Sequence, residues 1–191
     1  MDNAELRSQL EKLHPESYGW ALSCCRRDPA EAEGILQDVY LKILDGRARY
    51  DAKSSLKTWM FSVIRKTAAE HRRANLLRRL RLGHDLPAIE PFAVVESADE
   101  SVYRSELQVW FTRALGSLPS RQREVMQLVF YHELSLQEAS GVMGVSLGSA
   151  RTHYDRGKKQ LRKLMAESGV FDEAESTRAD DPAALPAIKA R

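Results

Sequence analysis

The chain has 191 residues, 43% of them hydrophobic and 29% charged, a balance that supports a folded core and excludes a wholly disordered chain. Its formal net charge is only +2, so total charge alone makes no case for nucleic acid, while ten glycines and seven prolines are few enough for extensive helix. Met1–Leu13 lacks the apolar segment of a signal peptide and no apolar run is long enough to cross a bilayer, so a soluble, cytoplasmic protein is expected.

In chain order, Tyr18, Ala21, Leu22 and Cys25 form a first apolar stripe at helical spacing. Asp28-Pro29-Ala30-Glu31 then opens a second helix, with Asp28 as cap, Pro29 at the first helical position and Glu31 completing a capping-box-like pair. Ile35, Leu36, Val39, Tyr40, Ile43 and Leu44 are expected on its inner face, and Asp45-Gly46 stops it. A third helix runs from Leu56 to about Arg73, with Leu56, Trp59, Met60, Val63 and Thr67 on one side, and continues through Leu82. No useful period-two alternation occurs, so no sheet is expected. Gly83, Pro87 and Pro91 break the pattern and mark a linker. Helices are then predicted over Val102–Leu115, Ser120–Phe130, Leu136–Met143 and from Ser146 to about Met165. The Ala-, Asp-, Glu- and Pro-rich end reads as a mobile tail. The fold class expected is all-α: two small helical domains (1–82 and 105–168) joined by a flexible acidic linker (83–104), with a tail at 169–191. Each core would be small and marginal alone.

Charge is distributed in blocks. Between Arg65 and Leu82 seven basic residues face Glu70 alone, giving +6; between Gly83 and Glu106 six acids face Arg104 alone, giving −5; between Arg151 and Lys163 six basic residues face Asp155 alone, giving +5. The near-neutral total therefore conceals two patches suited to phosphate. The second patch follows the sharpest local pattern in the chain, Leu134 to Arg151. Ser135 and Glu138 make a capping box, Ala139 permits a close helix crossing, Gly144 tolerates a positive-φ turn, Val145 is expected to be buried and Ser146 caps the next helix. These are the parts of a helix-turn-helix, whose second helix enters the major groove. Within it Ser149, Ala150, His153 and Tyr154 can point to base edges, while Arg151, Arg156, Lys158 and Lys159 lie where phosphates pass.

This segment resembles region 4 of the extracytoplasmic-function (ECF, group IV) sigma factors of RNA polymerase, and Leu118-Pro119-Ser120-Arg121-Gln122-Arg123-Glu124-Val125 resembles the opening of that region. Upstream, Ala32 to Lys42 resembles region 2.2, Leu56 to Arg65 resembles region 2.3 and Lys66 to Arg73 resembles region 2.4. Gly34 stands where the family often has another acid, and Lys66 where it often has asparagine. The resemblance implies an alternative sigma factor that binds core RNA polymerase and directs promoter-specific initiation. It implies that Glu31, Gln37, Asp38 and Leu41 dock on the polymerase clamp, that Trp59, Arg65, Lys66, Arg72 and Arg73 hold the −10 element, and that the helix-turn-helix, with Ser146 in its cap, reads the −35 element. An anti-sigma factor is implied as a further partner. Cations beside opened bases also suit single-strand capture on physical grounds.

Blander readings stand beside these. Trp59 shares an apolar stripe and reads first as core, with base stacking as its second use. Cys24 and Cys25 are adjacent, which suggests neither an ordinary disulfide nor a metal site, and they read as small core or boundary residues. The five histidines show no ligand spacing, so neither metal nor cofactor is expected. No nucleophile motif, phosphate-cradling glycine loop or paired-carboxylate pattern points to an enzyme. The competing function is a free-standing helix-turn-helix regulator whose N-terminal half serves dimerisation or sensing.

Overall fold

A computed structural model describes residues 3–81 and 102–168; the predicted tail and nearly all of the predicted linker lie outside them. Among the described residues there are eight helices and no strand: α1 Asn3–Lys12, α2 His14–Cys24, α3 Pro29–Leu44, α4 Leu56–Arg81, α5 Val102–Ser117, α6 Ser120–Phe130, α7 Leu136–Met143 and α8 Leu147–Ser168. The sequence reading did not anticipate α1, which packs against α2 and buries Leu10.

Local chemistry explains the boundaries. Asp28 accepts from the Glu31 N–H at 3.1 Å, satisfying one of the free donors at the start of α3. The other half of the expected box is not formed, since the Asp28 N–H donates to the Cys25 carbonyl at 3.0 Å. Arg26 and Arg27, at φ 54° and 65°, turn the chain sharply between α2 and α3. Gly46, at φ 69°, follows the end of α3 as its sequence predicts.

The first four helices close over Trp20, Ala21, Ile35, Val39, Met60, Phe61 and Ile64. The inner face of α3 consists of Ala32, Ile35, Leu36, Val39 and Ile43. Leu44, assigned inward from the sequence, is 53% exposed; the buried stripe of α3 ends at Ile43, and Leu44 lies on its outer side. On α4 the buried set is Thr58, Met60, Phe61, Ile64, Thr67 and Ala68, while Leu56, Trp59 and Val63 sit at the margin. Trp20 is the main residue missing from the sequence stripe: it is 1% exposed, and its Nε1–H donates to the Phe61 carbonyl at 3.0 Å.

The second set buries Leu115, Leu118, Val125, Leu128, Ala139, Val142, Met143 and Leu161. It does not stand apart from the first. The α7 helix lies along α4, the Thr58 hydroxyl donates to Glu138 at 3.3 Å, and Arg65 pairs with Glu124. His132 is 7% exposed and meets the Phe61 and Trp20 rings edge-on, with centroids 4.8 and 5.6 Å away. The two small cores thus continue into one apolar cluster. Mutual burial is the physical remedy for two cores each too small to stand comfortably alone.

Candidate nucleic-acid interface

The helix-turn-helix is assembled by the caps expected of it. The Ser135 hydroxyl oxygen accepts from the Glu138 N–H at 3.2 Å, and Glu138 accepts from the Ser135 N–H at 3.0 Å. The Ser135 hydroxyl also donates to the Glu138 carboxylate at 2.8 Å, and this bond, with the one from the Ser135 N–H and help from Thr58 and Lys57, holds the Glu138 carboxyl below the ordinary carboxylate range. Gly144 follows α7 in the left-handed region at φ 64°, ψ 40°, and the Val145 N–H returns to the Ser140 carbonyl at 3.1 Å. Ser146 then caps α8, accepting from the Ser149 N–H at 3.1 Å.

The α8 helix divides into two faces. Ala150, Gly157 and Leu161 are buried against the body of the unit. Ser149, Arg151, Thr152, Arg156 and Lys159 are exposed, with His153 half-buried beside them. Two candidates need correction. Ala150 is 0% exposed, so it serves helix packing and cannot meet a base edge. Tyr154 stacks on Phe130, with ring centroids 6.0 Å apart, and Lys158 Nζ lies 5.6 Å from the Tyr154 centroid; that ring is also spent largely on packing. Thr152 was missed. Its place on the exposed face follows from a helical count of three beyond Ser149.

The basic residues of α4 are not all equally presented. Lys66, Arg72 and Arg73 are exposed, and Arg72 Nη1 donates to the Cys24 carbonyl at 2.6 Å. Arg65 is turned against Glu124 and partly buried. Trp59 is half-buried, tilted against the Tyr50 ring at 5.4 Å. On α3, Gln37 and Leu41 are exposed, Leu41 to 56%. Asp38 lies 2.5 Å from His71 Nε2 on α4, and Glu31 stands in the first turn of α3. Leu44 and Tyr40 border a groove of about 370 Å³ shared with Leu10 and His14.

Cys25 is buried and Cys24 half-buried. Burial pushes the Cys24 thiol well above its ordinary range and Cys25 to about 12, which suits packing rather than thiolate chemistry. Among the described residues no group of three His, Cys, Asp or Glu side chains could hold a metal ion, and no helix is long and apolar enough to cross a membrane.

Known proteins resemble the chain along both helical sets. Residues 10–77 match Sigma-70 region 2 and residues 114–163 match Sigma-70, region 4. The chain is 30% identical over 166 residues to the ECF RNA polymerase sigma factor SigF of Caulobacter vibrioides, covering 86% of this chain and 87% of SigF. It is 28% identical over 165 residues to the ECF sigma factor SigX of Bacillus subtilis, covering 81% of this chain and 82% of SigX. In fold it resembles the sigma factor RpoE of Bartonella quintana, solved with the anti-sigma factor NepR, at TM-score 0.66 and 22% identity over 86% of this chain and 98% of RpoE. CnrH, solved with the cytosolic domain of CnrY, matches at TM-score 0.58 and 15% identity, covering 87% of this chain and 91% of CnrH. Two regions in the family's order, on the family's fold, make this chain a member of the extracytoplasmic-function sigma factors, the alternative sigma factors that bind core RNA polymerase and direct promoter-specific transcription.

Proposed function

We propose that the helices of this sigma factor divide the work of initiation. The exposed edge of α3, with Glu31, Gln37, Asp38 and Leu41, docks on the polymerase clamp. The basic side of α4 (Lys66, Arg72 and Arg73, joined by Arg65 and Trp59 when the two units separate) holds the −10 strand. The α8 helix enters the major groove of the −35 element, with Ser149, Thr152 and His153 toward base edges and Arg151, Arg156 and Lys158 toward phosphates. The observation that carries this reading is the division of α8 into a buried face of Ala150, Gly157 and Leu161 and an exposed polar and basic face. The free-standing-regulator reading is not favoured, because region 2 accounts for the half of the chain assigned there to sensing. The exposed apolar side chains of Leu41 and Leu44 support a further partner, an anti-sigma factor covering that edge, as the solved relatives RpoE and CnrH have bound partners.

Transcription with reconstituted polymerase on a set of −35 variants tests the division of roles. His153→Ala should change the ranking of promoters. Arg156→Ala should weaken all of them by a similar factor and flatten the salt dependence of DNA binding, because phosphate contacts release counterions whatever the sequence. A change of ranking with Arg156→Ala and none with His153→Ala would mean that α8 lies differently in the groove.

A further inference from the structure

A pocket of about 380 Å³ lies between α2, α5 and α6, so its walls come from both sigma regions. Leu22 on α2, Leu115 on α5 and Tyr131 just past α6 give it apolar sides, while Gln127 and His132 give it a polar one. Those two residues are only 6% and 7% exposed. Among the described residues neither side chain has a hydrogen-bond partner. Buried amides and imidazoles are normally bonded, because leaving them unpaired is costly.

The pair is also held firmly in place. The His132 N–H donates to the Gln127 carbonyl at 3.3 Å, and the Trp20 and Phe61 rings, edge-on at 5.6 and 4.8 Å, fix the imidazole plane. Gly19, also in the wall, adds no side chain. A Cβ there would stand 3.8 Å from His132 Cε1, so glycine leaves uncovered the carbon between the two ring nitrogens. Burial keeps the imidazole neutral, with its pKa lowered to about 4. It therefore offers one N–H donor and one bare nitrogen, beside the donor and acceptor of the Gln127 amide. These groups call for hydrogen bonds, not for an opposite charge. Glu16, which shares the wall, is already paired with Lys57.

We propose that this pocket binds a small uncharged molecule with an apolar ring and a carboxamide-like edge. The edge bonds to Gln127 and His132, and the ring lies among Leu22, Leu115 and Tyr131. Apolar walls with a few fixed polar groups are the usual make-up of a small-molecule site. Because both sigma regions build the pocket, the ligand stabilises their packing on each other.

NMR titration of the full chain with benzamide, without polymerase or promoter, tests the site independently of the proposed roles in initiation. Saturable one-to-one shifts of the Gln127 side-chain NH2 and His132 ring signals are expected, with a Tm that rises with benzamide concentration. Gln127→Met and His132→Phe keep the bulk and remove the hydrogen bonds. Each should weaken benzamide about tenfold, the upper worth of one neutral hydrogen bond. Since no protein partner is lost, Gln127→Met should unfold at the parent's temperature or higher, a result that an amide with a structural role would not give. Circular dichroism checks the fold of His132→Phe. Toluene, which lacks the amide, and benzoate, which Arg27 in the wall could attract, are the controls. The proposal is overturned if benzamide does not saturate, so that water alone serves these groups, or if Gln127→Met lowers Tm. It is overturned equally if toluene or benzoate binds as tightly as benzamide, or if both variants bind benzamide like the parent.

Discussion

At Gly144 the chain must turn between α7 and α8 with φ at 64° and ψ at 40°, where a Cβ meets the neighbouring carbonyl. No other atom lies within 4 Å of the place a Cβ would take, so backbone conformation, not crowding, selects glycine here. Gly144→Ala should therefore cost about 1 kcal/mol, and Gly144→Asn less, because asparagine tolerates the left-handed region. Urea denaturation of the full chain reads this difference; an alanine variant as stable as the parent would show that the turn relaxes. This residue, the Ser135–Glu138 box and the Asp28 cap were all legible in the sequence because each depends on neighbours within a few positions. Ala150 was not. Its small side chain suits both a base edge and a close helix crossing, and only the packing of α8 decides between them.

Element boundaries followed equally local signals, and Ser120–Phe130 and Leu136–Met143 were anticipated residue for residue. Orientation was harder to read. The apolar side chains of α4 form a band too broad to reveal which flank turns inward, so Trp59 and Val63 were grouped with Met60 although they lie at the margin. The crossing of α6 and α8 shows why such details matter. A Cβ on Gly157 would stand 3.1 Å from Met126 Cγ and 3.4 Å from Gln122 Cβ, so glycine is there for close approach. A methyl group asks Met126 to yield by a few tenths of an ångström, but a larger side chain has no room. Gly157→Leu should destabilise the chain by about 1–3 kcal/mol, the usual cost of overpacking. It should also weaken −35 binding by displacing α8. Thermal unfolding and DNA titration of the same variant measure the two effects, and a fully stable Gly157→Leu protein would mean that α8 can move away from α6 without cost.

Across the whole molecule, the feature least visible in the sequence is the packing of one sigma region on the other, because it joins residues far apart in the chain, as Arg65 with Glu124, 59 positions away, and Thr58 with Glu138, 80 positions away. No local pattern links His132 to Trp20, yet its ring sits edge-on to Trp20 and Phe61. Burial is the main cause that lowers the His132 pKa from 6.5 to about 4; Lys57 on α4 adds to the lowering and Glu16 on α2 opposes it. Lys57 and Glu16 are themselves paired, so their opposing effects stay together beside the ring. The docked arrangement consequently favours neutral imidazole, whereas an opened or unfolded chain takes up a proton near pH 6.5. The less packed state therefore binds more protons through this interval, and docking is fully supported above pH 6.5 and weakens as pH falls toward about 4. The loss could reach about 3 kcal/mol if His132 is freed completely. Small-angle scattering of the full chain should show expansion over that range before the helices melt by circular dichroism. His132→Gln, which keeps a polar side chain of similar reach but cannot titrate, should remove this acid-dependent step. If the glutamine variant expands at the same pH as the parent, protonation of another group drives the separation and His132 is only a packing residue.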